Sequence, residues 1–334
     1  MRVAVMAGGI SPERNVSLAS GQAVAKALRD RGHKVTFIDP ALGSNAEIDE
    51  TALMVSAAKL PGDELVHFPL KNLIECVRLP IFDNIDIAFL LTHGKNGEDG
   101  VMQALLQTRG VRYTGSKVMA SALAMDKSAS KLIFSAVGIT TPPWAVIRRT
   151  EIDDTENLEN IFNELRENVA VKPNDQGSTV GMTIVHEDFE GFRNAVKLAA
   201  EYSETVLVEQ YIAGRDLTVA ILGNEALPSI EIEPQDGFYD YEHKYSKGKT
   251  NYHCPADIFQ ECEDFIGQSA ITAHRALGCT AYSRVDFRLD EENVAHCLEV
   301  NTLPGFTATS LVPMAAKEYG LEFGELCERI IELS

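Results

Sequence analysis

The sequence lacks any uninterrupted apolar run near 18 residues, so no segment reads as a membrane-spanning helix. It is also poor in positive charge. Thirty Lys and Arg stand against 49 Asp and Glu, for a formal net charge of −19. A nucleic-acid backbone needs clustered cations, so that class of partner is excluded. An acidic chain can still hold a triphosphate, because a few local cations and backbone N–H groups suffice. The cysteines form no framework: the six, at 76, 254, 262, 279, 297 and 327, are scattered, with no CxxC and no tight Cys/His cluster. That spacing argues against structural zinc and predicts reduced thiols in a cytoplasmic protein. Three catalytic signatures are incomplete or missing. The turn Met6-Ala7-Gly8-Gly9 is followed by Glu13 and Arg14 rather than by the third glycine of a dinucleotide fingerprint. Gly110–Lys117 (GVRYTGSK) ends G-S-K, not G-K-[ST], and no G-x-S-x-G elbow occurs.

What is present is an ordinary globular composition, 45% hydrophobic and 24% charged, in 334 residues, long enough for two or three domains. The opening MRVAVMAGGI reads as a buried strand ending at Gly8-Gly9, not as a signal peptide. Apolar residues near helical spacing predict a helix over about 16–31, with strands at 3–6, 35–38 and 85–91. The last (IDIAFLL) is nearly continuous, as in a strand covered on both faces. Strands alternating with helices predict a parallel, helix-covered sheet in the first block. The second block opens on a helical stretch and holds strands at 169–173 and 182–185 around a loop. The third holds strands at 217–222, 282–289 and 294–300 and helices at about 258–277 and 320–333. The domains expected are 1–113, 114–208 and 209–334.

The strongest constellation lies near the C-terminus. In Ser283-Arg284-Val285-Asp286-Phe287-Arg288 the alternation puts Arg284, Asp286 and Arg288 on one strand face. After a turn through 290–293, Glu299 and Asn301 share a face too. Paired as a hairpin, the strands bring Asp286 close to Glu299. Two carboxylates and an amide oxygen make a hard-oxygen site suited to Mg²⁺; a solvated acidic hairpin is the competing reading. Lys172 ends an apolar strand just before the glycine-containing loop Gln176–Gly181, where it either reaches a phosphate or lies along the surface beside a flexible hairpin. By itself Lys127 reads as a helix-surface lysine. The segment Glu209–Ile212 follows a strand, so its backbone is placed to read an adenine edge. Glu13 sits just past the first strand, where α/β sheets bind ligands, and a carboxylate there also suits a helix N-terminus.

Together, GGISPERNVSLASG, THGKNGEDG, YTGSKVMASALAMDK, VKPNDQGSTVGMT, GRDLTVAIL, FYDYEHKY, SRVDFRL and LEVNTLPGFTATSLVP resemble the D-alanine–D-alanine ligases of the ATP-grasp superfamily, in that family's order from residue 8 to residue 313. The resemblance implies a three-domain α/β ATP-grasp fold with an N-terminal Rossmann-like parallel-sheet domain. It implies that Lys127, Lys172, Glu209, Gln210, Ile212 and Lys244 hold ATP, with Asp216 on the ribose. It places two Mg²⁺ or Mn²⁺ ions on Asp286, Glu299 and Asn301. Glu13 would receive the ammonium of the first D-alanine, beside His93. Arg284 and the Gly305 N–H would face the reacting carboxyl, and Ser310 and Leu311 would take the carboxylate of the second D-alanine. Lys244 and Tyr245 lie on a loop, about 236–252, expected to close over the site, with Ser178, Tyr245 and Glu13 as a triad. Two positions depart from the family's habit: Gln210 stands where Lys is common, and Lys95-Asn96 where uncharged and aromatic residues are more usual.

The reaction so implied runs through an acyl phosphate, formed when the first D-alanine attacks the γ-phosphate and consumed by the amine of the second. A homodimer without nucleic-acid or membrane partners is the expected assembly. Within the family the rival is a D-alanyl-D-lactate ligase, opposed by Tyr245; another carboxylate–amine ligase is opposed by FTATSLVP. Outside it stand a nicotinamide-dependent oxidoreductase, opposed by the missing glycine, and a non-catalytic ATP-binding regulator, opposed by the full set of carboxylates and cations.

Overall fold

A computed structural model of the chain describes residues 1–53, 68–165, 168–234 and 250–334. Its first sheet is built from β1 (Arg2–Met6), β2 (Lys34–Ile38), β3 (Glu47–Ile48) and β4 (Ile87–Leu90), in the order β3-β2-β1-β4. β1 runs parallel to both β2 and β4, and the short β3 is an antiparallel edge. Parallel neighbours need crossovers. Here α1 (Arg14–Asp30) supplies the first, and α2 (Lys71–Val77) lies on the path to β4, which is followed by α3 (Val101–Arg109). All four residues of β4 are buried, which is why its sequence reads as an unbroken apolar run. α1 lies very close to the sheet: a Cβ at Gly21 would fall 2.4 Å from the Ala7 Cβ and 2.7 Å from the Phe37 ring. Glycine is what allows that approach.

Two further sheets are antiparallel. α4 (Val118–Met125) and α5 (Lys127–Ala136) precede β5 (Trp144–Arg148), α6 (Thr155–Leu165), β6 (Asn168–Pro173), β7 (Thr183–His186), α7 (Phe189–Tyr202) and β8 (Thr205–Gln210). The strands order as β5-β8-β6-β7. α6 and α7 cover one face, burying Leu158, Phe192 and Val196 against Ile147, Val169 and Val206.

The third sheet takes β9 (Arg215–Leu222), β10 (Glu225–Ala226), β11 (Ile230–Pro234), β12 (Thr250–His253), β13 (Tyr282–Leu289) and β14 (Ala295–Asn301), with α8 (Gln260–Ala276) between β12 and β13. Its order is β12-β11-β9-β13-β14, with β10 paired to β9. α8, α4 and α5 bury Ile266, Ala270, Ala120 and Phe134 with Val219, Val285 and Phe287 of this sheet. After β14 the chain returns to the first sheet through α9 (Leu311–Glu318) and α10 (Phe323–Glu332). Their apolar residues join the first sheet's core. Phe306 is the joint: its ring centroid lies 6.0 Å from Phe89, 5.7 Å from Tyr282 and 5.7 Å from Phe323. The first and third sheets therefore share a core, and the second sheet and α5 reach them through Ser178 on Glu13 and Lys127 on Glu299. Among the described residues no helix is long and apolar enough to cross a membrane.

Candidate active site

β13 and β14 pair antiparallel with Asp286 opposite Glu299 and Arg284 opposite Asn301, so four polar side chains share one face. The opposite faces, Val285, Phe287, Cys297 and Val300, are buried in the third core. This is the period-two alternation doing what the pleat requires. A register shift after Asp286 marks a bulge. Arg284 clamps Asp286 with two parallel hydrogen bonds, Nε to Oδ1 at 2.8 Å and Nη2 to Oδ2 at 2.7 Å, and the Thr218 hydroxyl donates to Oδ1 at 2.6 Å. On the same face Arg288 Nη1 lies 2.8 Å from Asp216 Oδ1, and its Nε donates to the Ile212 carbonyl at 3.0 Å. Asn301 Oδ1 is buried and has no hydrogen-bond partner among the described residues. Among those residues no three His, Cys, Asp or Glu side chains converge as a metal site. A magnesium ion does not require three: two carboxylates, an amide oxygen and the oxygens of a bound phosphate form an adequate hard-oxygen shell. The orphaned Asn301 oxygen beside Glu299 fits that shell.

The cations face these carboxylates from the second sheet and from α5. Lys127 opens α5, where Asp126 caps the helix by accepting from the Ala129 N–H. The residue-level reading of Lys127 as a surface lysine is corrected: it is 7% exposed. Its Nζ donates to the Gln176 carbonyl at 2.7 Å and lies 3.1 Å from Glu299 Oε2. Burial, the largest single influence, would depress its pKa, but the charge and hydrogen bond of Glu299 together with Glu209 and Glu98 raise it overall. Lys172, next to last in β6, is also buried and pairs with Glu209 Oε2 on the neighbouring β8. Burial would raise the Glu209 pKa, yet Lys172 and Lys131 together pull it below the usual carboxylate range. Gln210 closes β8, its N–H bonded to the Pro143 carbonyl at 2.9 Å.

Glu13 lies at the N-terminus of α1, as both of its readings expect. It is the N-cap residue of α1, but its side chain makes no cap hydrogen bond. Instead its Oε1 accepts a hydrogen bond from the Ser178 hydroxyl, 165 residues away in the loop between β6 and β7. Ser178 and Thr179 both hold positive φ, 51° and 63°. Successive left-handed residues without glycine store strain, which tends to be kept where a loop has a task. His93 is buried, and its Nε2 has no hydrogen-bond partner among the described residues. Burial lowers its pKa, against the opposing pull of Glu13 and of a backbone hydrogen bond to Leu303. Across the groove the Ser310 hydroxyl accepts from the Thr307 N–H at 2.9 Å and sits at the start of α9, followed by Leu311. A Cβ on Gly305 would stand 3.5 Å from Ser310 Oγ, so the two are neighbours. A helix N-terminus of this kind suits a carboxylate.

Two residues escaped the sequence reading as site members. Glu98 is buried, accepts from the Gly94 N–H at 2.9 Å through Oε1, and has no hydrogen-bond partner for Oε2 among the described residues. Burial, with Glu13 nearby, pushes its pKa up to about 8. Lys131 lies fully buried with Nζ 2.7 Å from Glu209 Oε1. Its only sequence signal is its place one turn beyond Lys127, on the same helix face. Lys244 and Tyr245, and with them most of the loop 236–252, fall outside the described residues.

A parallel α/β sheet that delivers a carboxylate to a groove between two antiparallel sheets, the groove lined by paired lysines and acids, defines an ATP-dependent ligase of the ATP-grasp fold. Family models place the chain within that class: the model for the D-ala D-ala ligase N-terminus matches residues 2–116, and that for the D-ala D-ala ligase C-terminus matches residues 133–332. The chain belongs to the D-alanine–D-alanine ligase family. It is 41% identical over 331 residues to a D-alanine–D-alanine ligase from Geobacter sulfurreducens, covering 99% of this chain and 93% of that one. It is similar in structure to the D-alanine–D-alanine ligase of Bacillus anthracis, with a TM-score of 0.79 at 31% identity over 100% of this chain and 97% of that one. The same Bacillus enzyme complexed with ATP gives a TM-score of 0.78 at 28% identity, with the same coverage. The VanG D-Ala:D-Ser ligase of Enterococcus faecalis matches with a TM-score of 0.77 at 28% identity, over 99% and 98% of the two chains.

Proposed function

We propose that the chain joins two D-alanine molecules into D-alanyl-D-alanine at the expense of ATP, supplying the precursor dipeptide of peptidoglycan in a bacterial cytoplasm. The observation that carries this reading is the convergence of Glu13 with Ser178, Lys127 with Glu299 and Arg284 with Asp286, which brings groups from all three sheets to one groove. Glu13 and His93 border the site of the first D-alanine, Glu13 receiving its ammonium. Lys127, Lys172 and Lys244 hold the phosphates, the Glu209–Ile212 segment, Gln210 included, borders the adenine, and Asp216 meets the ribose. The first D-alanine carboxylate attacks the γ-phosphate, with Lys172, Lys244 and Arg284 neutralising charge in a step that is mostly positioning. The acyl phosphate must be kept from water, a task for the loops bearing Ser178 and Tyr245. The amine of the second D-alanine, its carboxylate held by Ser310 and the Leu311 N–H, then attacks the carbonyl carbon. The oxyanion is met by Arg284 and the Gly305 N–H, and phosphate leaves. Asp286, Glu299 and Asn301 would hold two Mg²⁺ or Mn²⁺ ions, which when bound supply compensating positive charge to the phosphates.

The same proposal divides the chain into domains 1–113, 114–208 and 209–334, one sheet to each apart from the last residues of β8. It also makes the protein a homodimer, which sedimentation of the purified protein checks. A second reading has one specific support: the similarity to a D-Ala:D-Ser ligase brings D-serine in as an alternative second substrate. The deciding experiment incubates the protein with ATP, Mg²⁺ and D-alanine, follows phosphate release and identifies the product by mass. Parallel tubes hold L-alanine, D-alanine with D-serine, and D-alanine with D-lactate. Phosphate release that requires D-alanine and yields the dipeptide supports the proposal. A mixed product made in preference to D-alanyl-D-alanine overturns its substrate assignment.

A further inference from the structure

Lys131 is a buried cation that the reaction as proposed leaves without a task. It lies on α5 with 0% of its side chain exposed. Its Nζ is 2.7 Å from Glu209 Oε1, donates to Thr141 Oγ1 at 2.5 Å and to the Pro142 carbonyl at 3.2 Å, and stands over the Trp144 ring at 5.4 Å. Those three oxygens and the ring surround the ammonium. Lys172 takes the other oxygen of the same carboxylate. One buried acid thus faces two buried bases, an excess of one positive charge in a place with little water to screen it. The contacts extend further. The Thr141 hydroxyl donates to the Cys297 carbonyl at 2.7 Å, two residues before Glu299 on β14. Glu209, on the second sheet, is thereby tied through Lys131 and Thr141 to the strand of the third sheet that carries Glu299 and Asn301.

We propose that Lys131 is a positioning residue that holds the Glu209 carboxylate in place while Lys172 leaves it for the triphosphate. The inference rests on the reading that Lys172 meets phosphate. If Glu209 had Lys172 as its sole partner, every nucleotide that entered would have to strip a buried acid of its counter-charge, which is strongly unfavourable. With Lys131 present, the exchange leaves a neutral Lys131–Glu209 pair behind, and the surplus charge of the triad goes to the phosphate. The backbone after Glu209, which borders the adenine, stays fixed because the side chain that anchors it does not move.

The test is steady-state kinetics of Lys131→Met, Lys172→Met, Glu209→Gln and the double variant Lys131→Met/Glu209→Gln, varying ATP and D-alanine separately. Lys131→Met is expected to raise KM for ATP about tenfold or more, with KM for D-alanine within about twofold of the parent. In the Glu209→Gln background, adding Lys131→Met is expected to leave KM for ATP unchanged, because there is no longer a carboxylate to hold. That comparison also serves if Lys131→Met alone does not fold, since the double variant leaves no buried carboxylate short of a counter-charge and keeps Lys172 as the one charge of the triad. A residue that merely supports the fold would lower melting temperature without moving KM for ATP selectively. Lys131→Met with unaltered KM for ATP, alongside a raised value in Lys172→Met, overturns this proposal alone. So does a further tenfold rise on adding Lys131→Met to Glu209→Gln. An unaltered KM for ATP in Lys172→Met overturns the underlying reading of the phosphate site and this proposal with it.

Discussion

Stability should fall on acidification through a residue far from the chemistry, His274. It lies on α8, 2% exposed, with Nδ1 2.7 Å from the Ser283 hydroxyl on β13. Burial, and secondarily the adjacent Arg275, lowers its pKa from 6.5 to about 4. The unfolded chain therefore takes up a proton near pH 6.5 that the folded chain refuses until near pH 4. In that window the unfolded state binds more protons, so stability rises with pH and is lost as pH falls. Going from pH 7.5 to pH 5 the loss from this one group is about 2 kcal/mol, and below pH 4 it levels off near about 3 kcal/mol. Glu98 works in the opposite direction, its folded pKa being raised, so the total curve does not isolate His274. The difference between the parent and His274→Asn does, since asparagine can keep a hydrogen bond to Ser283 but does not titrate. Urea denaturation followed by circular dichroism at pH 5, 6 and 7.5 should show the parent losing about 2 kcal/mol relative to the variant. Parallel curves would refute the reasoning, for they would mean that His274 meets its proton as easily folded as unfolded.

Other outcomes concern the groove. Arg284→Ala should lower turnover ~10²–10³-fold, the usual cost of one oxyanion donor, and near-normal turnover would remove Arg284 from the reacting carboxyl. Chelation should abolish phosphate release and added Mg²⁺ or Mn²⁺ restore it, while Glu299→Gln should shift the Mg²⁺ dependence to higher concentration; activity indifferent to chelator would remove the metal from Asp286, Glu299 and Asn301. Glu98 is held protonated to about pH 8, so its ionisation above that pH puts a second negative charge beside Glu13. Activity should then decline as pH rises through 8 and Glu98→Gln should flatten that limb; an unchanged limb in the variant would assign it to another group.

Much of the scaffold was legible in the sequence because period and position coincide there. The unbroken apolar run ending at Leu91 predicts a strand covered on both faces, and β4 is buried throughout. The alternation in 283–288 predicts which side chains share a face, and the pairing of Asp286 with Glu299 follows once the turn at 290–293 is read. The helix α9 leaves little sign in the sequence, because Leu311–Glu318 is short and carries Pro313. Proline in a first turn costs no hydrogen bond, so the helix stands where a breaker is written. Lys127 and Lys131 were opaque for a different reason. Burial of a lysine depends on which carboxylates the fold brings to it, and Glu299 and Glu209 lie 172 and 78 positions along the chain. Local pattern carries no information at that separation. For Glu13 the sequence offers a helix-terminal acid and a ligand-binding acid on equal footing; the structure puts it at the helix terminus and adds the hydrogen bond from Ser178, 165 residues away, which no local pattern announces.

The four contacts Lys127–Glu299, Lys172–Glu209, Arg284–Asp286 and Ser178–Glu13 have a common character. In each, a group proposed to meet one substrate component is engaged by a group of opposite sign or complementary hydrogen bonding. Buried charges without a ligand have to be compensated by one another, since leaving either member alone in a dry groove is costly. That compensation also constrains how ligands enter. A triphosphate arriving without metal would draw Lys127 and Lys172 toward it while the carboxylates of Glu299 and Asp286 faced its oxygens uncompensated. A metal ion arriving without nucleotide would draw Glu299 and Asp286 and leave Lys127 buried without its acid. On the proposed roles, the two together would give Lys127 and Lys172 phosphate oxygens, and Glu299 and Asp286 a cation, in place of their internal partners. If the proposed roles hold, the charge pattern would favour the metal–nucleotide complex over either component alone.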